Sequence, residues 1–365
     1  MNYYIETHFY DRSGLVTSGG KGRDDYFEML RRCGLECIDI APMKSGGTFN
    51  TASRIRLEFQ LAIGWKRALA KAGKGDVLFI HNPPSEKFLN YAGIIKRVRK
   101  RGCRIVTIVF DLEYYLKPYI RDNGRIKFLL SMISERSILK NSDRIMVHND
   151  RMKETVAAMG YDPGRITAVG LMDYLRSDEP DTESIMKRTG RSKNIVFCGN
   201  LVPEKAGFLS DIPDNIDIDL YGPGFDKTTN HSINYRGIFP SLKIMDVISG
   251  SFGLVWDGSS SHTGTGAGGE YLRINSPHKM ALYLASGLPV IVWTESAMAE
   301  TVVKENCGFA VSDLNEIRGV IDSMTDEAYD EMRDNAIRLA GGLRKGIHIR
   351  KATETILSDL ENEHD

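Results

Sequence analysis

The sequence predicts an α/β protein built from two Rossmann-like, doubly wound parallel-sheet domains that face a central cleft. Three observations predict it. The chain has 365 residues, too many for one ordinary core. Short apolar runs alternate with longer amphipathic ones, the signature of parallel strands joined by crossover helices. That alternation pauses once, over a polar, acidic stretch from 173 to 193, and then resumes. The expected division is a first domain over 1–172, a linker over 173–193, a second domain over 194–345 and a closing helix over 346–365.

The elements follow in order. Tyr3 to Ile5 opens as a strand, and Arg23 to Cys33 is a helix closed by Gly34 at a C-cap position. Leu35 to Ile40 is a strand, Arg54 to Ala72 a helix, and Asp76 to His81 a buried strand. Glu86 to Arg101 is a helix stopped by Gly102, followed by the strand Arg104 to Asp111. Arg125 to Lys140 is a helix and Asp143 to His148 a strand; Asn149 caps the helix Asp150 to Met159, and Ile166 to Val169 completes the first series. In the second series Asn194 to Cys198, Ile216 to Tyr221, Phe252 to Trp256 and Pro289 to Trp293 are strands. Leu242 to Ser249, Pro277 to Ala285 and Met298 to Glu305 are helices, and a last helix runs from about Ile349 to Glu361. Ligands of such sheets bind outside the carboxyl ends of the strands. Two such edges facing each other make a cleft the default site.

Composition narrows the class. There are 48 basic and 48 acidic residues, so the chain as a whole does not invite a polyanion. The first residues do not read as a signal peptide, and no apolar run approaches the roughly 20 residues that span a bilayer. The five cysteines are scattered and odd in number, which fits reduced thiols in a cytoplasm.

The strongest chemical signal is Arg273-Ile-Asn-Ser-Pro-His-Lys279 ahead of Gly287-Leu-Pro-Val-Ile291. Ser276 suits an N-cap and Pro277 a first helical position, so the amides of His278 and Lys279 point out of a helix N-terminus. That end binds phosphates; Lys279 adds a full charge, and Arg273 stands just before. A diphosphate leaving group needs donors already in place. A plain, well-capped surface helix is the competing reading. Upstream, Gly264, Gly266 and Gly269 spell G-x-G-x-x-G, but no helix opens there and the strand ends at Trp256, so a dinucleotide fingerprint is rejected. A loop closing over a bound sugar, or a solvated loop, fits better.

Other candidates lie at strand ends. Gly199 permits close backbone approach, Asn200 and Leu201 follow it, and Tyr221 and Gly222 end the next strand; Asn200 suits a phosphate or ribose and Tyr221 a base. In the first domain the loop from Asp11 to Asp25 overhangs the cleft, and Thr17, Lys21, Arg23 and Asp24 are candidates for a hydroxylated partner. Lys21 is followed by Gly22 rather than Ser or Thr, so this is not a P-loop. Asp111 and Glu113 end a strand where a carboxylate can orient or deprotonate a hydroxyl. His81 and His148 end strands too, although a lone histidine is more often structural. Asp217-Ile-Asp219 lies inside an alternating strand and reads as a solvated face, so no essential metal is expected. The run from Lys96 to Arg101 suits contact with anionic lipid, with a solvated helix face as the favoured alternative.

Taken together, Gly19-Gly-Lys21 with Arg23-Asp24, Phe110-Asp-Leu-Glu113, Val147-His-Asn149, Cys198-Gly-Asn-Leu201, Phe252-Gly-Leu-Val-Trp256, Asn275-Ser-Pro-His-Lys279 and Ala285-Ser-Gly-Leu-Pro-Val-Ile291 resemble a bacterial group. It contains β-1,6-galactofuranosyltransferases of polysaccharide synthesis and glucosyltransferases that extend GlcNAc on serine-rich adhesins. The resemblance implies a GT-B fold, a UDP-sugar donor held mainly by the second domain, and a saccharide, glycopeptide or lipid-linked acceptor held by the first. It also implies a homo-oligomer and a last helix that crosses back to the first domain. On it, Asn200, Tyr221, Asn275 and Lys279 hold UDP, with no cofactor. Many retaining relatives carry a Glu-x7-Glu pair, but the aligned positions here are Ile274 and Leu282; Glu300 becomes the candidate for ribose. A UDP-sugar epimerase of the same shape and a non-catalytic partner subunit are the competing functional readings.

Overall fold

The computed structural model describes residues 1–7, 18–40, 51–84, 90–114, 125–226, 230–266 and 268–363. Thr17 lies outside the described residues. Six strands form the first sheet: β1 (Asn2–Thr7), β2 (Glu36–Ile40), β3 (Val77–Asn82), β4 (Arg104–Val109), β5 (Arg144–Val147) and β6 (Ile166–Ala168). Their order is β2-β1-β3-β4-β5-β6 and every pair is parallel. The second sheet holds β7 (Ile195–Cys198), β8 (Ile218–Tyr221), β9 (Ile233–Gly237), β10 (Gly253–Val255), β11 (Val290–Trp293) and β12 (Gly308–Val311). Its order is β12-β11-β10-β7-β8-β9, again all parallel.

Helices cover the faces: α1 (Ser18–Arg32), α2 (Thr51–Ala68), α3 (Tyr91–Lys100), α4 (Arg125–Lys140) and α5 (Asp150–Ala158) in the first domain. After them come α6 (Thr182–Arg188), α7 (Pro203–Ala206), α8 (Ile244–Val247), α9 (His278–Ala285), α10 (Ala299–Lys304), α11 (Glu316–Ser323), α12 (Asp326–Lys345) and α13 (Ile347–Asn362). The fully buried strands Val77–Asn82 and Val290–Trp293 are apolar runs, the first up to His81 and Asn82 at its end, because helices pack on both sides. α13 lies against the first domain: it packs on α1 and β6, Arg104 donates to Leu360 O, and Arg144 pairs with Glu363 at 2.7 Å.

Several expectations need correction. The stretch 173–193 is not a plain linker. Asp181 caps α6 there, and Asp173, Tyr174 and Leu175 are buried. Asp173 accepts the Ile349 amide at 2.8 Å, and Lys21 and Asp25 of α1 form a buried ion pair whose atoms also bond the carbonyl and amide of Leu175. The segment is therefore stitched to α1, α12 and α13. Asp219 is not on a solvated face either: it is buried, bonded by Asn194 at 2.8 Å and paired with Arg236 at 3.0 Å. The edge strand β9 and the short β12 were not anticipated.

The Gly-rich stretch before α9 is a packed turn in its described part. Gly264 sits against the Trp293 ring, where a Cβ would come within 2.6 Å. Ser261 is buried, and its amide donates to Asp211 at 3.1 Å. The expected lid or solvated loop is thus a folded shelf beneath the end of β11, and its glycines serve close packing.

Candidate active site

The second sheet changes direction between β7 and β10: β8 and β9 build out on one side, β11 and β12 on the other. In sheets of this kind a switch in strand order is where the departing loops diverge and ligands bind. Gly199 and Asn200 leave β7; Trp256 and Asp257 leave β10. Lys279, on the first turn of α9, reaches into this place. Its Nζ donates to Trp256 O at 2.9 Å and to Asp257 Oδ1 at 2.8 Å, and lies 4.5 Å above the Phe197 ring. A cation is thus held at the switch point beside the open amides of a helix N-terminus.

Two glycine positions fix this geometry. A side chain on Gly253 would overlap the Tyr283 ring, which packs on β10 and uses its hydroxyl to accept the Cys198 amide at 2.7 Å. Gly222, at φ 140°, passes so close to Gly199 O that a Cβ would collide. The turns after β7 and β8 therefore touch.

Ser276 does not cap α9. Pro277 occupies the cap position in extended conformation with no side-chain cap bond. The Ser276 hydroxyl instead accepts from Asn149 Nδ2 at 2.9 Å and donates to Gly170 O at 3.2 Å, while its amide donates to His148 Nδ1 at 3.4 Å. Asn149 also caps α5 through Met152 N at 2.9 Å. The end of β5 is thereby latched to the start of α9 across the two domains. Beside the latch, some buried polar atoms have no partner among the described residues: Asn275 Oδ1, His148 Nε2 and both ring nitrogens of His278. Such a cluster is costly unless something satisfies it, and bound substrate oxygens would.

Burial keeps these rings neutral. It lowers His148 to about 4 and His278 to about 3, the latter helped by Lys21 and His148; it lowers His81 to about 3, with Arg23 adding to the effect. His278 stacks on Tyr174 at 4.9 Å, and His81 packs against Phe27 at 5.7 Å.

A third contact joins the domains. The hydroxyl of Tyr271 accepts the Leu112 amide at 3.3 Å and hydrogen-bonds the Asp111 carboxylate. Burial raises Asp111, while Arg23 and Tyr271 pull it back down. Arg23 lies over the Phe110 ring at 5.5 Å. Glu113 is buried just beyond, and its amide donates to Glu135 at 2.9 Å, which also holds Asn82 at 3.0 Å.

The remaining candidates fall into three groups. Arg23 stays near Asp111, but Lys21 is consumed by its buried pair with Asp25, and exposed Asp24 lines a recess of about 670 Å3 with Arg176 and Lys243. Arg273 and Glu300 share another recess, of about 370 Å3, where Arg273 pairs with Glu270 and Glu295 and lies over Trp293. Lys279 does not line that recess. Leu201 and Tyr221 are core residues: the Leu201 amide donates to Pro223 O at 2.8 Å, and the Tyr221 ring packs near Phe239. Asn200 is exposed, its side-chain Oδ1 accepting from Val202 N at 3.3 Å. Asp257, Tyr271, Tyr283 and Glu135 escaped sequence reasoning because each acts through a partner distant in the chain. Among the described residues, no group of three or more His, Cys, Asp or Glu is placed to hold a metal.

Two family models match. Residues 2–168 match the N-terminal domain of the glucosyltransferase 3-like family, and residues 195–356 its C-terminal domain. The chain is 29% identical over 289 residues to the beta-1,6-galactofuranosyltransferase WbbI of Escherichia coli strain K12, covering 78% of this chain and 80% of that one. Its fold is similar to that of the sucrose-phosphate synthase from Thermosynechococcus elongatus, with a TM-score of 0.62, 12% identity and 99% of each chain covered. The Anabaena protein HepE in complex with UDP-glucose aligns at a TM-score of 0.57 with 10% identity, again over 99% of both chains. At such identities these two likenesses speak for the two-domain fold alone.

Proposed function

The chain belongs to the glucosyltransferase 3-like family, and from that premise we propose that it moves a hexosyl group, glucose or galactofuranose, from a UDP-sugar to a saccharide hydroxyl in cell-surface polysaccharide or glycoprotein synthesis. The observation that carries the reading is Lys279 at the switch point of the second sheet, beside the open amides of α9. The bond between the anomeric carbon and the diphosphate oxygen breaks, and UDP leaves with growing negative charge. Lys279, turning from Trp256 O and Asp257 to that oxygen, and the first amides of α9 meet the charge. The acceptor oxygen bonds the anomeric carbon, and its proton passes to Asp111, whose carboxylate Tyr271 holds in place. Neutral His148 and His278 with Asn275 offer hydrogen bonds to sugar hydroxyls.

We read the transfer as independent of a divalent metal, since a lysine and helix amides occupy the place where a cation would act. Asp219 of the Asp-x-Asp sequence is already engaged by Arg236 and Asn194. The five free cysteines support work in the cytoplasm, and no helix among the described residues is long and apolar enough to cross a membrane. A homo-oligomer belongs to the same reading on family resemblance alone. The test is turnover: UDP-glucose, UDP-galactose and UDP-galactofuranose are each incubated with saccharide acceptors and UDP release is measured. One donor should turn over in an acceptor-dependent way without added metal. Conversion of a UDP-sugar to its epimer without acceptor would overturn the reading.

A further inference from the structure

The chain carries no net charge, yet its charge is unevenly placed. By sequence, α2, α3 and α4 hold twelve Lys or Arg against two Glu. One of those acids, Glu135, is buried and turned to the cleft network. α3 packs between α2 and α4 and forms one outer layer of the first domain with them. Its exposed residues include Lys96, Arg97 and Lys100. α2 exposes Lys66 and Arg67 near its end, and α4 exposes Arg136 and Lys140.

The same layer exposes large apolar side chains. Phe59 is 67% exposed and Ile63, one turn on, 46%; Leu129 is 58%, Leu130 41% and Ile133 56% exposed. Each set lies along one helix face. Because each helix begins at the carboxyl edge of the sheet, α2 and α4 start toward the cleft, and exposed Lys66, Arg67, Arg136 and Lys140 stand at their far ends. Isolated exposed hydrophobics are ordinary, but five on the two helices that flank α3, with the exposed cations of α3 between those helices, are more than scatter.

We propose that the α2–α3–α4 face of the first domain docks on an anionic phospholipid surface, with Phe59, Ile63, Leu129, Leu130 and Ile133 entering the interface and Lys96, Arg97 and Lys100 meeting headgroups. Charge draws the face to the surface, and apolar burial retains it there. A soluble polyanion would satisfy the cations but would leave the apolar residues in water. A second copy meeting face to face would set this cationic layer against itself. The face lies outside the proposed transfer site, so a failure of the transfer reading and a failure of docking are distinguishable.

The test is flotation of the full chain with vesicles of phosphatidylcholine, with or without phosphatidylglycerol. Wild-type protein should float only with the anionic vesicles and should be largely released by high salt. K96E/R97E/K100E should weaken that partition by at least about a hundredfold, since losing three cations at about a fivefold factor each gives that much before the added anions are repelled. Phe59→Ser with Ile133→Ser should also weaken it and leave the melting temperature unchanged, because both side chains are exposed. Absence of wild-type flotation, or equal flotation of the charge-reversed variant, overturns the proposal. So does conversion of an oligomer to monomer by the Ser pair with vesicle binding intact.

Discussion

Lys279→Met is the most informative single perturbation. Lys279 donates to Trp256 O and Asp257, is 13% exposed, and lies over Phe197. The partner carboxylate is 24% exposed, so water can take over its solvation when the lysine goes. The stability cost should then be about 1 kcal/mol, the range of a partly exposed ion pair with an aromatic neighbour. Catalysis should suffer more. A preorganised donor aimed at developing charge contributes about 3–4 kcal/mol, so kcat should fall by a factor on the order of 10²–10³. UDP binding should weaken about 10- to 100-fold, the effect of one hydrogen bond to a charged group. The assay is UDP release at saturating donor beside calorimetric titration of UDP, with thermal unfolding as the fold control. A folded variant within about threefold of wild-type kcat/KM would refute the assignment. Asp257→Asn removes the competitor for the same Nζ and should leave UDP binding equal or tighter.

Two more predictions concern groups at the domain boundary. Tyr271→Phe removes the hydroxyl that lowers Asp111, so the acidic limb of the pH–rate profile should move to higher pH and kcat should drop about tenfold, with donor KM little changed; an unshifted limb would contradict the positioning role. Asp173 is raised by burial to about 7 against an ordinary 3.8, despite the amides of Ile349 and His348. Its contribution to stability is therefore whole below about pH 4 and is lost as pH rises toward 7, where the unfolded chain ionises first. Asp173→Asn keeps an acceptor for those amides. Across that window the wild type should lose stability relative to the variant, by at most about 4 kcal/mol, and the difference should be constant above it. Thermal unfolding of both proteins across that pH range is the measurement.

Much of the fold was legible because buried parallel strands are apolar runs: Val77-Leu-Phe-Ile and Val290-Ile-Val-Trp announce themselves. β9, Ile-Asn-Tyr-Arg-Gly, did not, because an edge strand half open to water carries no apolar signal. α6 was hidden by its length of 7 residues and single buried side chain, Ile185. The place of Lys279 on the first turn of α9 was legible because a helix start ahead of Gly-Leu-Pro-Val has a physical meaning in sequence. Leu201 and Tyr221 were over-read, since sequence gives a residue's place at a strand end but not the side to which it turns. Lys21 was over-read for a related reason: its partner Asp25 is a neighbour in sequence, but Leu175, which completes the clamp, is 154 residues away. The latch from Asn149 and His148 to Ser276 and the bond from Tyr271 to Asp111 exist only once two domains meet, and no local pattern encodes them.

The central claim is that the donor diphosphate lies at the switch point of the second sheet. A crystal structure of the full chain with UDP tests it most directly. The diphosphate should lie between the ends of β7 and β10, within hydrogen-bond reach of Lys279 Nζ and the first amides of α9. A diphosphate seated instead in the recess of Arg273 and Glu300, with Lys279 still bonded to Asp257, would contradict the account.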